Sequence, residues 1–123
     1  RDIAKAHFIE KFYVNRGLDR CLFMFSEEEW KNQESKLRSL SFTKSDARKF
    51  NRLYFSGAAE VIPDSQGRII IPKNLKDFAG IKKDVVLIGV SNMIEIWDGE
   101  IWKKFYDANR PSYEDIAEKI IEN

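Results

Sequence analysis

At 123 residues and 14.4 kDa the chain suffices for one compact domain and falls short of two full independent ones. A 43% hydrophobic content with nine Phe, four Tyr and three Trp excludes a disordered polar chain, while near-cancelling charges leave a net +1 that argues neither for nor against a nucleic-acid partner. A single cysteine, Cys21, excludes an internal disulfide framework and fits a reducing compartment, and no run approaches the ~20 apolar residues of a membrane span.

The runs Phe12–Asn15 and Cys21–Phe25 are aromatic and β-branched and flank a Gly17-Leu18-Asp19 turn, which predicts a hairpin. Ser26, with Glu29 three residues on, reads as a helix N-cap and capping box. Trp30, Leu37 and Leu40 then carry a helical stripe. Thr43 with Asp46 repeats the capping pattern, and Ala47, Phe50 and Tyr54 continue a second helix to a Ser56-Gly57 stop. Ala59–Ile62 predicts a short strand ending at the turn Pro63-Asp64-Ser65-Gln66-Gly67. Arg68-Ile69-Ile70-Ile71 predicts another, terminated by Pro72. Residues 73–79 predict a helix closed by Gly80 as a left-handed C′ residue. Val85–Val90 and Met93–Trp97 around Ser91-Asn92 form a second hairpin. Asp98 caps a helix with Trp102 and Phe105, and a last helix from Ser112 places Tyr113, Ile116, Ala117, Ile120 and Ile121 on one stripe.

Charge is unevenly spread. Residues 36–52 hold six basic side chains against one acid, Asp46, whereas residues 95–123 hold four basic and eight acidic ones. Such a chain can turn one face to a polyanion, although ordinary solvated helix faces account for the split as well.

A shift of 72 residues lays the first hairpin on the second. Gly17 falls on Gly89, Leu22 on Ile94, Met24 on Ile96, Phe25 on Trp97 and Trp30 on Trp102. The second copy carries Ala59–Leu75 upstream, while the first starts at Arg1-Asp2-Ile3-Ala4, the counterpart of Lys76-Asp77-Phe78-Ala79 at a shift of 75, three more than for the hairpins. A tandem repeat therefore leads us to expect that roughly 20 residues of a partner strand–turn–strand unit are absent from the first copy.

The turn Asp64-Ser65-Gln66-Gly67-Arg68 is the strongest candidate site. Asp64 and Ser65 can bond their own backbone and hold a tight turn. Gly67 supplies a positive φ and lets a partner approach the main chain. Arg68 emerges where turn meets strand and can grip a phosphate or read guanine O6 and N7 bidentately. Gln66 can pair with adenine or a phosphate, and Ser65 with a phosphate. Lys73, Lys76, Lys82 and Lys83 are near enough in sequence to add backbone contacts, Lys73 first among them. Taken alone, these residues also fit an ordinary polar turn with Arg68 in a surface ion pair. Cys21 reads as a buried small hydrophobe, His7 has no metal constellation around it, and Trp30 and Trp102 read as helix-to-hairpin anchors.

Four motifs occur in a fixed order: Arg16-Gly17-Leu18-Asp19-x-Cys21-Leu22, Phe55-Ser56-Gly57-Ala58, Asp64-x-Gln66-Gly67-Arg68-Ile69-x-Ile71-Pro72 and Ile88-Gly89-Val90-x-Asn92-x-Ile94-Glu95-Ile96-Trp97. Together they resemble the MraZ family, bacterial regulators located at the head of the division and cell-wall gene cluster. The resemblance implies an α+β fold of tandem AbrB-like swapped-hairpin β-barrel halves with connecting and C-terminal helices. Residues 1–55 would form an N-terminally incomplete first repeat with its helical connector, and residues 56–123 the second repeat with the C-terminal helices. It further implies binding of double-stranded promoter DNA through Asp-x-x-Gly-Arg turns, a ring-like homo-oligomer, a cytoplasmic, nucleoid-associated location and no cofactor. The family has two such turns, of which this sequence carries the second. In that family the basic run 36–52 belongs to the connector, where subunit contacts or solvent suit it. Two alternatives stand beside the regulator: a protein-interaction or ring-scaffold module, and an AbrB-type antitoxin, which usually carries one hairpin per chain. An enzyme is not expected, because no nucleophile set, metal spacing or phosphate loop is present.

Overall fold

The computed structural model describes residues 10–121. His7 and the Arg1–Ala4 counterpart of the repeat lie outside the described residues. Strands β1 (Phe12–Arg16), β2 (Leu22–Ser26), β3 (Ala59–Val61), β4 (Val85–Val90) and β5 (Met93–Asp98) make one antiparallel sheet in the order β3-β1-β2-β5-β4. Helices α1 (Glu27–Arg38) and α2 (Ser45–Ser56) follow the first hairpin, and α3 (Lys73–Ala79) precedes the second. After the second come α4 (Gly99–Asn109), a 3-10 turn (Arg110–Ser112) and α5 (Tyr113–Ile121).

The strand register carries the repeat. β2 and β5 pair as Leu22 with Ile96, Phe23 with Glu95 and Met24 with Ile94. A shift of 72 residues exchanges the first and last of these pairs and maps Phe23 onto Glu95, so a local twofold passes between the two hairpins at that point. The connection is swapped: β3, from the second half of the chain, pairs with β1 in the first, with Val61 opposite Phe12. Beside β4 no described strand takes the corresponding place.

The two hairpins differ at their tips. In the first, the Gly17 N–H bonds the Cys21 carbonyl at 2.8 Å and encloses Leu18-Asp19-Arg20, with Asp19 and Arg20 at φ 60° and 64°. The turn therefore sits one residue beyond the expected Gly17-Leu18-Asp19. The second closes with the two residues Ser91-Asn92, Ser91 at φ 57°. An odd tip against an even one offsets the register by one residue, so Ser26 faces Phe12 whereas Asp98 faces Val85. Loop length thus sets register where the strand sequences agree.

Around β1 and β2 both faces of the sheet are packed. On one, Val14, Leu22, Val61 and Ile96 pack with Leu75 and Ala79 of α3, flanked by Ile69, Ile71 and Ile81. On the other, Trp30 of α1 stacks on Tyr13 at 5.3 Å and on Tyr54 of α2 at 5.8 Å, with Phe25 and Phe55 beside it. The equivalent Trp102 meets Trp97 at 5.2 Å and Phe105 at 5.7 Å, so both tryptophans anchor helix to hairpin. Asn15 is fully buried: its Nδ2 donates to the Tyr54 carbonyl at 2.8 Å and its Oδ1 accepts from the Arg16 N–H at 2.8 Å. Asn15 and Arg16, which bonds the Leu53 carbonyl, hold the carbonyl end of α2 against the sheet.

The expected caps hold at three places. Ser26 Oγ accepts from the Glu29 N–H at 3.1 Å, Asp98 accepts from Glu100 and Ile101, and Gly80 adopts φ 65°. Glu29 does not close a capping box. Its carboxylate bonds Asn32, Gln33 and, across to the second hairpin, Asn92 at 2.8 Å. Thr43 does not cap α2 either: Lys44 occupies that position without a side-chain bond, and Thr43 pairs with Ser41 at 2.8 Å.

A larger correction concerns Arg68–Pro72, which is not a strand. Ile69 and Ile71 pack on the core while Ile70 is 87% exposed, so the alternation of a strand persists without a ladder. A strand needs a backbone partner, and the outer side of β1 is already taken by β3. Cys21 is buried as expected, just ahead of β2. Burial pushes its thiol up to about 11, which leaves it a neutral, unreactive group near pH 7.

Candidate nucleic-acid interface

The turn after β3 is organised by one side chain. Asp64 Oδ1 accepts from the Gln66 N–H at 2.8 Å and from the Arg68 N–H at 2.9 Å, and Oδ2 accepts from Arg68 Nε at 3.0 Å. The main chain closes the loop: the Asp64 N–H bonds the Arg68 carbonyl at 2.8 Å and the Gly67 N–H bonds the Asp64 carbonyl at 3.0 Å. The backbone N–H groups of Arg68 and Gln66, with the Arg68 guanidinium, hold the Asp64 carboxyl below the usual aspartate range. It is therefore ionised at neutral pH and keeps the turn set.

Gly67 sits at φ 80°, in the left-handed region that favours glycine, and a Cβ there would meet nothing within 4 Å. Open space around a loop tip is what lets a partner reach the main chain. Arg68 is fixed at its base by the Nε contact, while its side chain stays 72% exposed and its Nη groups donate no hydrogen bond among the described residues. A guanidinium gripped through Nε alone keeps its two terminal nitrogens for a phosphate or a base edge. Both readings of the motif are thus partly realised, since the surface ion pair exists and it orients the arginine.

The other candidate residues divide. Ser65 and Gln66 are exposed, and neither side chain bonds within the described residues, so Asp64 alone supplies the side-chain bonds that hold the turn. Lys73, exposed at the start of α3, pairs with Asp77 at 3.0 Å one helical turn away. Exposed ion pairs of this kind are worth little and can be exchanged for a phosphate. Lys82 and Lys83 are exposed on the segment before β4. The signal for the Asp64–Arg68 clasp lay in the sequence as an acid and a base four residues apart across a Gly turn.

A family model matches residues 4–53 and again residues 54–123, and it describes MraZ proteins as antitoxin-like. The chain belongs to the MraZ family. Each of the two matches takes in one of the two hairpins related by the twofold through Phe23 and Glu95. The sheet and helices accordingly form tandem AbrB-like halves with connecting and C-terminal helices. MraZ membership places the chain among regulator-type, antitoxin-like proteins rather than in a family of enzymes. Among the described residues no helix is long and apolar enough to cross a membrane, and no group of three or more His, Cys, Asp or Glu side chains converges.

Proposed function

We propose that this chain is a sequence-specific DNA-binding transcription regulator that presents its Asp64–Arg68 turn to double-stranded DNA. Arg68, Gln66, Ser65 and Gly67 form the tip, and Lys73 adds a phosphate contact. The observation that carries the reading is the clasped arginine: Asp64 holds Nε, and the exposed Nη groups stand at an open loop tip. By resemblance the target is a set of short promoter repeats at the division and cell-wall gene cluster, in the cytoplasm at the nucleoid. Residues 1–55 and 56–123 are the two repeat units. A single turn is a small footprint, so useful affinity comes from several turns held together in a ring-like homo-oligomer, where each turn raises the effective concentration of the next.

A salt titration tests the reading. Fluorescence anisotropy with a labelled repeat-bearing duplex is expected to give an observed association constant that falls linearly with salt on logarithmic axes, at ~0.9 per phosphate neutralised. Absence of binding at low salt, or a flat line, removes DNA as the partner. The antitoxin-like family description favours one second reading, in which the same turn engages a partner protein. That contact would survive salt that strips the duplex.

A further inference from the structure

We propose that Asp64 is a specificity-determining residue of the turn: its carboxylate leaves the Arg68 guanidinium one open fork and repels phosphate from it. This role rests on the DNA reading of the turn, and it adds how the turn tells a base edge from the sugar–phosphate backbone.

The case begins with the edges of a guanidinium. Its planar set of N–H donors offers two kinds of bidentate edge, one through Nε and a terminal nitrogen, the other through both terminal nitrogens. Asp64 Oδ2 accepts from Nε at 3.0 Å and so takes the first. The second stays open, because the Nη groups donate no hydrogen bond among the described residues and the side chain is 72% exposed. An end-on fork of this kind matches guanine O6 and N7. Without the carboxylate, both edges are free to grip a phosphate.

Charge supplies the rest. From Pro63 to Pro72 the chain carries one acid, Asp64, and one base, Arg68, so the tip is formally neutral. Lys73, the next cation along the chain, is itself paired with Asp77 at 3.0 Å. The Gln66 and Arg68 N–H groups bond Asp64 Oδ1 at 2.8 and 2.9 Å and favour its charged form independently of the guanidinium. A phosphate nearing the fork therefore meets the attraction of the arginine and the repulsion of the carboxylate behind it. A base edge has no net charge and escapes the repulsion. Discrimination thus comes from the pair, which penalises the wrong ligand as well as fitting the right one. The turn itself does not need the charge. Its main chain closes through the Asp64 N–H to the Arg68 carbonyl and the Gly67 N–H to the Asp64 carbonyl. An asparagine oxygen can accept the same two N–H groups as Oδ1.

Asp64→Asn isolates the charge, and the full chain is titrated at low salt with a repeat-bearing and a scrambled duplex of equal length. Affinity for the scrambled duplex is expected to rise about threefold or more, the effect of removing one unit charge beside a phosphate in water. Preference for the repeat falls by at least the same factor. The logarithmic salt slope on the scrambled duplex steepens by about 0.9, one further phosphate. A residue that only shaped the turn would lower affinity for both duplexes when replaced, so the gain is a signature of the charge. Asp64→Ser, another neutral turn former, repeats it, and thermal unfolding confirms that each variant is folded. In Asp64→Asn combined with Arg68→Ala the gain disappears, because it acts through the arginine. An unchanged preference, losses on both duplexes, or a gain that survives in the double variant overturns the proposal and leaves DNA binding standing. A wild type that binds neither duplex, or both alike, overturns the sequence-specific DNA reading and this role with it.

Discussion

Trp30→Ala is expected to lower the free energy of unfolding by about 3–5 kcal/mol, the range for removing a buried large aromatic side chain. Trp30 is 7% exposed and joins four elements, touching Tyr13 of β1, Phe25 of β2 and Tyr54 and Phe55 of α2 from its place on α1. Its loss opens a cavity that those rings cannot fill without moving α2, whose end is pinned by Asn15 and Arg16. Small domains have only about 5–15 kcal/mol in total, so the variant sits near the edge of folding. Urea unfolding followed at 222 nm measures the effect. Trp102→Ala is the control, because Trp102 is half-buried and packs against Trp97, Phe105 and Tyr106 at the outer side of the second hairpin. A smaller loss there supports the account, and equal losses would mean that the first hairpin is no more central than the second.

The second large effect is on DNA. Arg68→Ala removes the only turn side chain with both an exposed cation and a fixed base, and one good bidentate base contact is worth ~1–3 kcal/mol of discrimination. Affinity for a repeat-bearing duplex should fall by about tenfold or more for each turn engaged, and more steeply in an assembly that binds through several turns at once. Anisotropy at fixed salt reads this directly. Stability should change little, since the exposed Asp64–Arg68 pair lies outside the core and the two backbone bonds to Asp64 Oδ1 remain. Unchanged affinity would remove Arg68 from the interface.

Features governed by local chemistry were legible in the sequence. Ser26 and Asp98 cap helices because a short polar side chain there meets unpaired N–H groups, and Gly80 ends α3 because its left-handed backbone favours glycine. The repeat was visible too, through Phe25 with Trp97 and Trp30 with Trp102. What escaped depends on partners far along the chain. Ile69-Ile70-Ile71 has every local mark of a strand, yet a ladder needs a neighbour that propensity cannot supply. Thr43 failed as a cap because the chain enters α2 one residue later, at Lys44. The twofold through Phe23 and Glu95, and the one-residue offset between the hairpins, follow from pairing and tip length rather than from side-chain pattern. At the candidate site the five turn residues stood out as a motif. The division of labour within it, with Asp64 as the clasp and Arg68 held by it through Nε, required geometry.

Reading of base sequence by the clasped arginine is tested most directly by competition anisotropy with two duplexes of equal length, one bearing the promoter repeat and one scrambled, for wild type and Arg68→Lys. Lysine keeps the charge and loses the planar fork, so general attraction to phosphate is preserved while bidentate recognition is not. Wild type should prefer the repeat by about tenfold or more, and Arg68→Lys should bind both duplexes nearly alike. A wild type that does not distinguish them, or a lysine variant that distinguishes them equally well, contradicts the account.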